Sequence, residues 1–131
     1  MNEEKKYKVL IVDDDKFLLD MYAMKFKSLG HDATVAVGAN DALEKLRGGM
    51  DPEIMLLDII MPTMDGLELL EVVRKEGLAP SATLVMLTNE TDPAKIERAN
   101  VLKVNGYIVK ATTIPSEVVS QVIEIVKHKT P

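Results

Sequence analysis

The chain has 131 residues, 47% of them hydrophobic, and no cysteine, so one domain with its own core is expected while disulfides, thiolate metal sites and thiol nucleophiles are excluded. A net charge of −5, with no basic cluster beyond Lys5-Lys6 and Lys127-Lys129, argues against a direct nucleic-acid partner. No apolar stretch approaches the ~18–20 residues that span a bilayer and Met1–Lys6 lacks the apolar stretch of a signal peptide, so a cytoplasmic protein with no membrane partner is expected.

Residues 1–6 read as a frayed tail. Val9-Leu10-Ile11-Val12 is apolar without alternation, as in a strand buried on both faces, and ends on Asp13-Asp14-Asp15. Lys16 to Leu29 predicts a helix capped by Asp15, with Leu18, Met21, Tyr22, Lys25, Phe26 and Leu29 at helical spacing as a mostly apolar stripe and Gly30 just past its end. Thr34–Val37 is a second strand, with His31 expected at the surface before it. Ala39–Leu46 is a helix with Ala42, Leu43 and Leu46 as its apolar stripe, stopped by Gly48-Gly49.

Ile54–Leu57 is a third strand, ending on Asp58. Asp65-Gly66-Leu67-Glu68 has the form of a capping box and opens a helix to about Lys75, buried by Leu67, Leu69, Leu70 and Val73. Thr83–Leu87 is strand four, ending at Thr88. Asp92-Pro93 predicts an N-cap with proline in the first turn of a weakly apolar helix to about Lys103. Tyr107–Val109 is strand five, ending at Lys110, and a last helix runs from about Pro115 to His128 with Val118, Val119, Val122, Ile123 and Val126 inward.

Five βα units with short connections predict an α/β fold, a five-stranded parallel sheet with helices on both faces and strand order 2-1-3-4-5. The site of such a sheet lies beyond the carboxyl ends of its strands, where the order reverses. Strands one and three deliver Asp13, Asp14 and Asp58 there, strand four Thr88, strand five Lys110. Two carboxylates 4 Å apart repel by about 4 kcal/mol at an effective dielectric near 20, so three need a cation. Mg²⁺, with Mn²⁺ as a substitute, suits such hard oxygen ligands. With a lysine and a threonine nearby, the set suits phosphoryl transfer to a carboxylate.

These residues carry a resemblance. Val9-Leu10-Ile11-Val12-Asp13-Asp14-Asp15, Leu57-Asp58 through Asp65-Gly66, Leu87-Thr88 and Gly106-Tyr107-Ile108-Val109-Lys110 resemble the motifs of response-regulator receiver domains, the phosphoacceptors of two-component signalling. The intervals of 45, 30 and 22 residues between Asp13, Asp58, Thr88 and Lys110 fit as well. The family is itself an example of the 2-1-3-4-5 flavodoxin-like order, so that order is no independent support. The resemblance covers residues 7–128, with 129–131 as a C-terminal end. It implies a phosphorelay protein rather than a turnover enzyme. Asp58 would accept a phosphoryl group from a sensor histidine kinase or phosphotransfer protein, or through self-phosphorylation, and lose it slowly. Asp14, Asp58 and the Ile60 carbonyl would ligate the metal, with Asp13 acting partly through water. Lys110 would pair with Asp58. Thr88 and Tyr107 would move together and switch the face of helix four, strand five and helix five toward a downstream protein.

The chain departs from the family pattern at several positions. Ala111 follows Lys110 where the family usually has proline; a trans peptide or a strained loop is expected there. Asn89 stands where a small residue is usual. Ile60 and Glu90 flank the path of an attacking water, and an apolar Ile60 cannot orient one, so slow self-hydrolysis is expected. Helix five lacks the arginine of the family's DNA-binding dimers, which favours a monomer or a weak phosphorylation-dependent dimer. The length fits a stand-alone receiver or a fragment of a longer regulator. One alternative is a phosphorylation-independent interaction module. Another is an Mg-dependent aspartyl phosphatase using Asp13-x-Asp15, against which stands Phe17, where that family has Thr or Val.

Overall fold

A computed structural model of the chain describes residues 5–89, 93–110 and 113–128. The elements alternate as expected: β1 (Lys8–Asp13), α1 (Lys16–Ser28), β2 (Asp32–Val37), α2 (Ala39–Arg47), β3 (Ile54–Leu57), α3 (Gly66–Glu76), β4 (Thr83–Thr88), α4 (Pro93–Val101), β5 (Gly106–Val109) and α5 (Pro115–Lys127). The sheet order is β2-β1-β3-β4-β5 and the pairings are parallel.

The unbroken apolar runs of the strands are explained by burial on both faces. Leu10, Val12, Met55, Leu57, Leu84 and Met86 face a core closed by α2 and α3, with Leu43, Leu46, Leu67, Leu70 and Val73. The alternate residues Val9, Ile11, Ile54, Leu56, Val85 and Leu87 face a second core, closed by α1 and α5 with Leu19, Phe26, Val118 and Val122. Successive side chains thus enter opposite layers, the period-2 geometry of a strand.

Two expectations are corrected. The buried face of α1 is Leu19, Tyr22, Ala23 and Phe26. Leu18 and Met21 are only half-buried and Leu29 is exposed. This helix is apolar nearly all round, and β2 and α5 decide which side turns in. His31 is also buried rather than at the surface. Parallel pairing sets the starts of β1 and β2 side by side, so the His31 Nδ1 accepts the Tyr7 N–H at 3.0 Å and the two rings stack 5.6 Å apart.

The helix ends follow their sequence signals. Asp15 caps α1, accepting from the Phe17 and Leu18 amides. Asp65 and Glu68 form the reciprocal capping box of α3. The proposed cap at Asp92 lies outside the described residues. Of the residues of α4, only Ala99 is buried. Polar ties hold this helix to α3: Arg98 pairs with Glu71, and Arg74 donates to the carbonyls of Leu102 and Lys103 at 3.2 and 3.3 Å.

Candidate functional site

Register brings the predicted residues to one edge. Val12 pairs with Leu57, so Asp13 and Asp58 leave adjacent strands at the same level. The Asp58 N–H donates to the Val12 carbonyl at 2.9 Å, and the Gly38 N–H donates to the Asp13 carbonyl at 2.9 Å, fixing both backbones. Thr88 pairs with Val109, which sets Lys110 beside the end of β4.

Asp13 and Asp58 are buried, 2% and 7% exposed, and Thr88 is fully buried. Asp14, one residue on, points to solvent. One carboxylate oxygen from each of Asp13, Asp14 and Asp58 lies within 4.8 Å of the others. The Lys110 ammonium bridges the cluster, donating to Asp13 Oδ2 at 2.6 Å and Asp58 Oδ2 at 3.2 Å. The shorter contact is to Asp13, whereas the resemblance implied pairing with Asp58. The Asp13 carboxylate is doubly engaged, since its Oδ1 accepts the Asp15 amide at 3.0 Å.

The electrostatics follow from one ammonium among three acids. Burial, and then the neighbouring Asp13 charge, push Asp58 up to about 6, against the opposing pull of Lys110. Burial works to lower the Lys110 pKa, but its hydrogen bond to Asp13 and the charges of Asp58 and Asp13 leave it raised. The cluster therefore carries excess negative charge and hard oxygen donors. Such a set fits Mg²⁺, which takes one or two carboxylates and keeps waters.

The remaining predicted residues surround this edge. Ile60 is 54% exposed at the mouth. Asn89 is exposed, and together with Lys110, Tyr22 and Thr113 it lines a cleft of about 590 Å³. Tyr107 is half-buried against the α2–α3 core. Glu90 and the Lys110–Ala111 peptide lie outside the described residues.

Two neighbours of the site were given no part in it by the sequence. Tyr22 projects from α1 toward the cluster; burial raises its phenol, which also feels the charges of Lys110, Asp13 and Asp58. Its place seven residues after the Asp15 cap was the available signal. Gly66 is the second. A Cβ on it would lie 2.1 Å from the Asp58 carbonyl oxygen, and its N–H donates to the Ile59 carbonyl at 2.8 Å. The helix start is thus pressed against the strand that carries Asp58.

Comparison with known proteins agrees with this arrangement. Residues 9–123 match the response regulator receiver domain family. The Regulator of RpoS of Escherichia coli K12 is 39% identical over 94 residues, 71% of this chain and 28% of that protein. The DNA-binding response regulator MtrA of Mycolicibacterium paratuberculosis is 31% identical over 117 residues, 89% of this chain and 50% of that protein. The chain thus spans half or less of these curated relatives. Chemotaxis protein CheY4 of Vibrio cholerae superposes with a TM-score of 0.82 at 26% identity, covering 92% of this chain and 99% of that one.

Proposed function

Because the chain belongs to the response regulator receiver domain family, whose members are phosphoacceptors of two-component signalling rather than turnover enzymes, we propose that Asp58 is its phosphoacceptor. An oxygen of the Asp58 carboxylate attacks the phosphorus of a phosphohistidine on a kinase or phosphotransfer protein. The O–P bond forms as the N–P bond breaks, the histidine nitrogen leaves with the electron pair, and Asp58 becomes an acyl phosphate. The observation that carries the reading is the Lys110 ammonium shared by Asp13 and Asp58, with Asp14 within reach. Lys110, 3.2 Å from Asp58 Oδ2, would take a phosphoryl oxygen added to Asp58.

Asp14 and Asp58, the Ile60 carbonyl, and Asp13 partly through water would hold Mg²⁺, which when bound supplies charge neutralisation for the phosphoryl oxygens. Asp13 holds Lys110 in position. Ile60 and Asn89 bound the path of hydrolytic water, and the apolar Ile60 leaves that water unoriented, so the acyl phosphate is long-lived.

The output is a population shift. Phosphorylation adds roughly −1.5 to −2 charge and strong acceptor oxygens. The Thr88 hydroxyl moves to one of them, Tyr107 follows, and the α4–β5–α5 face changes toward a downstream protein. A shift from 1:99 to 99:1 needs about 5.5 kcal/mol, and two charge-assisted hydrogen bonds at about 1.5–3 kcal/mol each approach it.

Intact mass after incubation with acetyl phosphate and Mg²⁺ tests the proposal. One labile phosphoryl adduct is expected, lost with EDTA and in Asp58→Asn. An adduct that persists in Asp58→Asn, or none in the wild type with acetyl phosphate or a phosphorylated histidine donor, would refute it.

A further inference from the structure

Helix α1 carries two apolar faces, and the fold uses one. Leu19, Tyr22, Ala23 and Phe26 enter the core. On the opposite side Phe17, Met21, Met24 and Ser28 follow one another at steps of four, three and four residues, the spacing of a helix–helix seam. Phe17 is 73% exposed and Met24 67%. Scattered apolar surface residues are ordinary, whereas an aligned ridge marks an interaction surface.

From this ridge, we infer that α1 pairs with α1 of a second copy of the chain, antiparallel about a two-fold axis level with Tyr22 and Ala23. Charge and shape both support this occupant. Asp20 and Lys27 flank the ridge on one side, seven residues apart; Asp20 lies 3.3 Å from Lys16 of its own helix, an exposed pair worth little that leaves its carboxylate open to a second cation. In an antiparallel pair with Met21 facing the other copy's Met24, they occupy the flanking positions that meet across the seam. Each Asp20 then faces the other copy's Lys27, so the axis turns one acid and one base into two complementary ion pairs. Beside Met24 and Ser28 lies a cleft of about 570 Å³, lined also by Ala23, Lys27, Ala33 and Val35. The same register puts the other copy's Phe17 opposite Ser28, at the mouth of this cleft, so one ring and one hollow per chain complement each other. Phe17 lies two residues beyond Asp15, at the rim of the acid cluster. The dimer therefore covers one approach to Asp58, a consequence separate from whether Asp58 is phosphorylated.

Few side chains contribute from each copy, so the contact falls at the low end of interface sizes and is concentration-dependent. Sedimentation equilibrium of the full chain from about 10 µM to about 1 mM is expected to show the mass rising toward that of a dimer. Asp20→Lys and Lys27→Asp each place like charges across both symmetry-related pairs and should weaken association at least ~10-fold. The double variant, and an equimolar mixture of the two singles, should return it to within ~3-fold of wild type. Phe17→Ser should abolish it. These side chains are outside the core, and thermal unfolding at wild-type temperature verifies that each variant is folded. A mass that stays monomeric throughout overturns the inference and leaves the ridge to a helix of a different protein. Charge reversals without effect, or a double variant no better than the singles, overturn it too, since association would then use another surface.

Discussion

Replacing Asp58, the proposed phosphoacceptor, by its neutral isostere should stabilise the metal-free protein. Asp58 is buried beside Asp13, and its pKa is pushed from 3.8 to about 6. In the unfolded chain it returns to about 3.9. Between those values the folded state holds a proton that the unfolded state has released. The contribution of Asp58 is therefore intact below about pH 4, falls as pH rises, and is lost above about pH 6. A shift near two units corresponds to about 3 kcal/mol of stability forfeited at neutral pH. Asp58→Asn removes this titration and keeps an acceptor for Lys110. With urea m-values of about 1–3 kcal/mol/M, its unfolding midpoint at pH 7.5 should exceed that of wild type by about 1–3 M, and the gap should close toward pH 4.5. Added Mg²⁺ should raise the wild type alone, by about 1.4 kcal/mol at tenfold excess over its Kd. A gap independent of pH, or an Asn variant less stable than wild type at pH 7.5, would refute the reasoning.

Three further outcomes are expected. Lys110→Met leaves Asp13 and Asp58 buried without their cation and should cost about 3–5 kcal/mol near neutrality by urea titration, with partial recovery at pH 5 as Asp58 protonates. Gly66→Ala drives a methyl into the Asp58 carbonyl; backbone meets backbone, so a loss of about 2–3 kcal/mol and a calorimetric Tm lower by several degrees are expected. Ile60→Asn should speed decay of the acyl phosphate, followed by intact mass after donor removal, and an unchanged half-life would remove Ile60 from the account of slow hydrolysis.

The layered fold was legible because each strand is an apolar run that needs cover on both sides, and each ends on a residue with a charge or hydroxyl. The capping box at Asp65 was legible for a local reason: its two hydrogen bonds involve residues three apart. The buried face of α1 was not, since a helix apolar nearly all round has no unique periodic answer. His31 was misplaced because its partner, the Tyr7 amide, is 24 residues away and arrives only through strand pairing. The acid cluster could be assembled from strand ends, yet the preference of Lys110 for Asp13 shows only in the folded distances, 2.6 Å against 3.2 Å to Asp58. Gly66 read as part of a helix start, and its contact with the Asp58 carbonyl exists only once α3 lies against β3.

That contact makes the pocket mechanically one-sided. On the β3–α3 side the helix start is wedged against the Asp58 backbone, with no slack for even a methyl group, and α3 is anchored by five buried residues. On the β4–β5 side stands α4, with only Ala99 buried and with polar ties to α3 and its cap through Arg98 and Lys95. A rigid wall and a yielding one enclose the same small volume. If Asp58 is phosphorylated as proposed, the added bulk and charge would be relieved toward the less anchored wall, in a direction already set by packing.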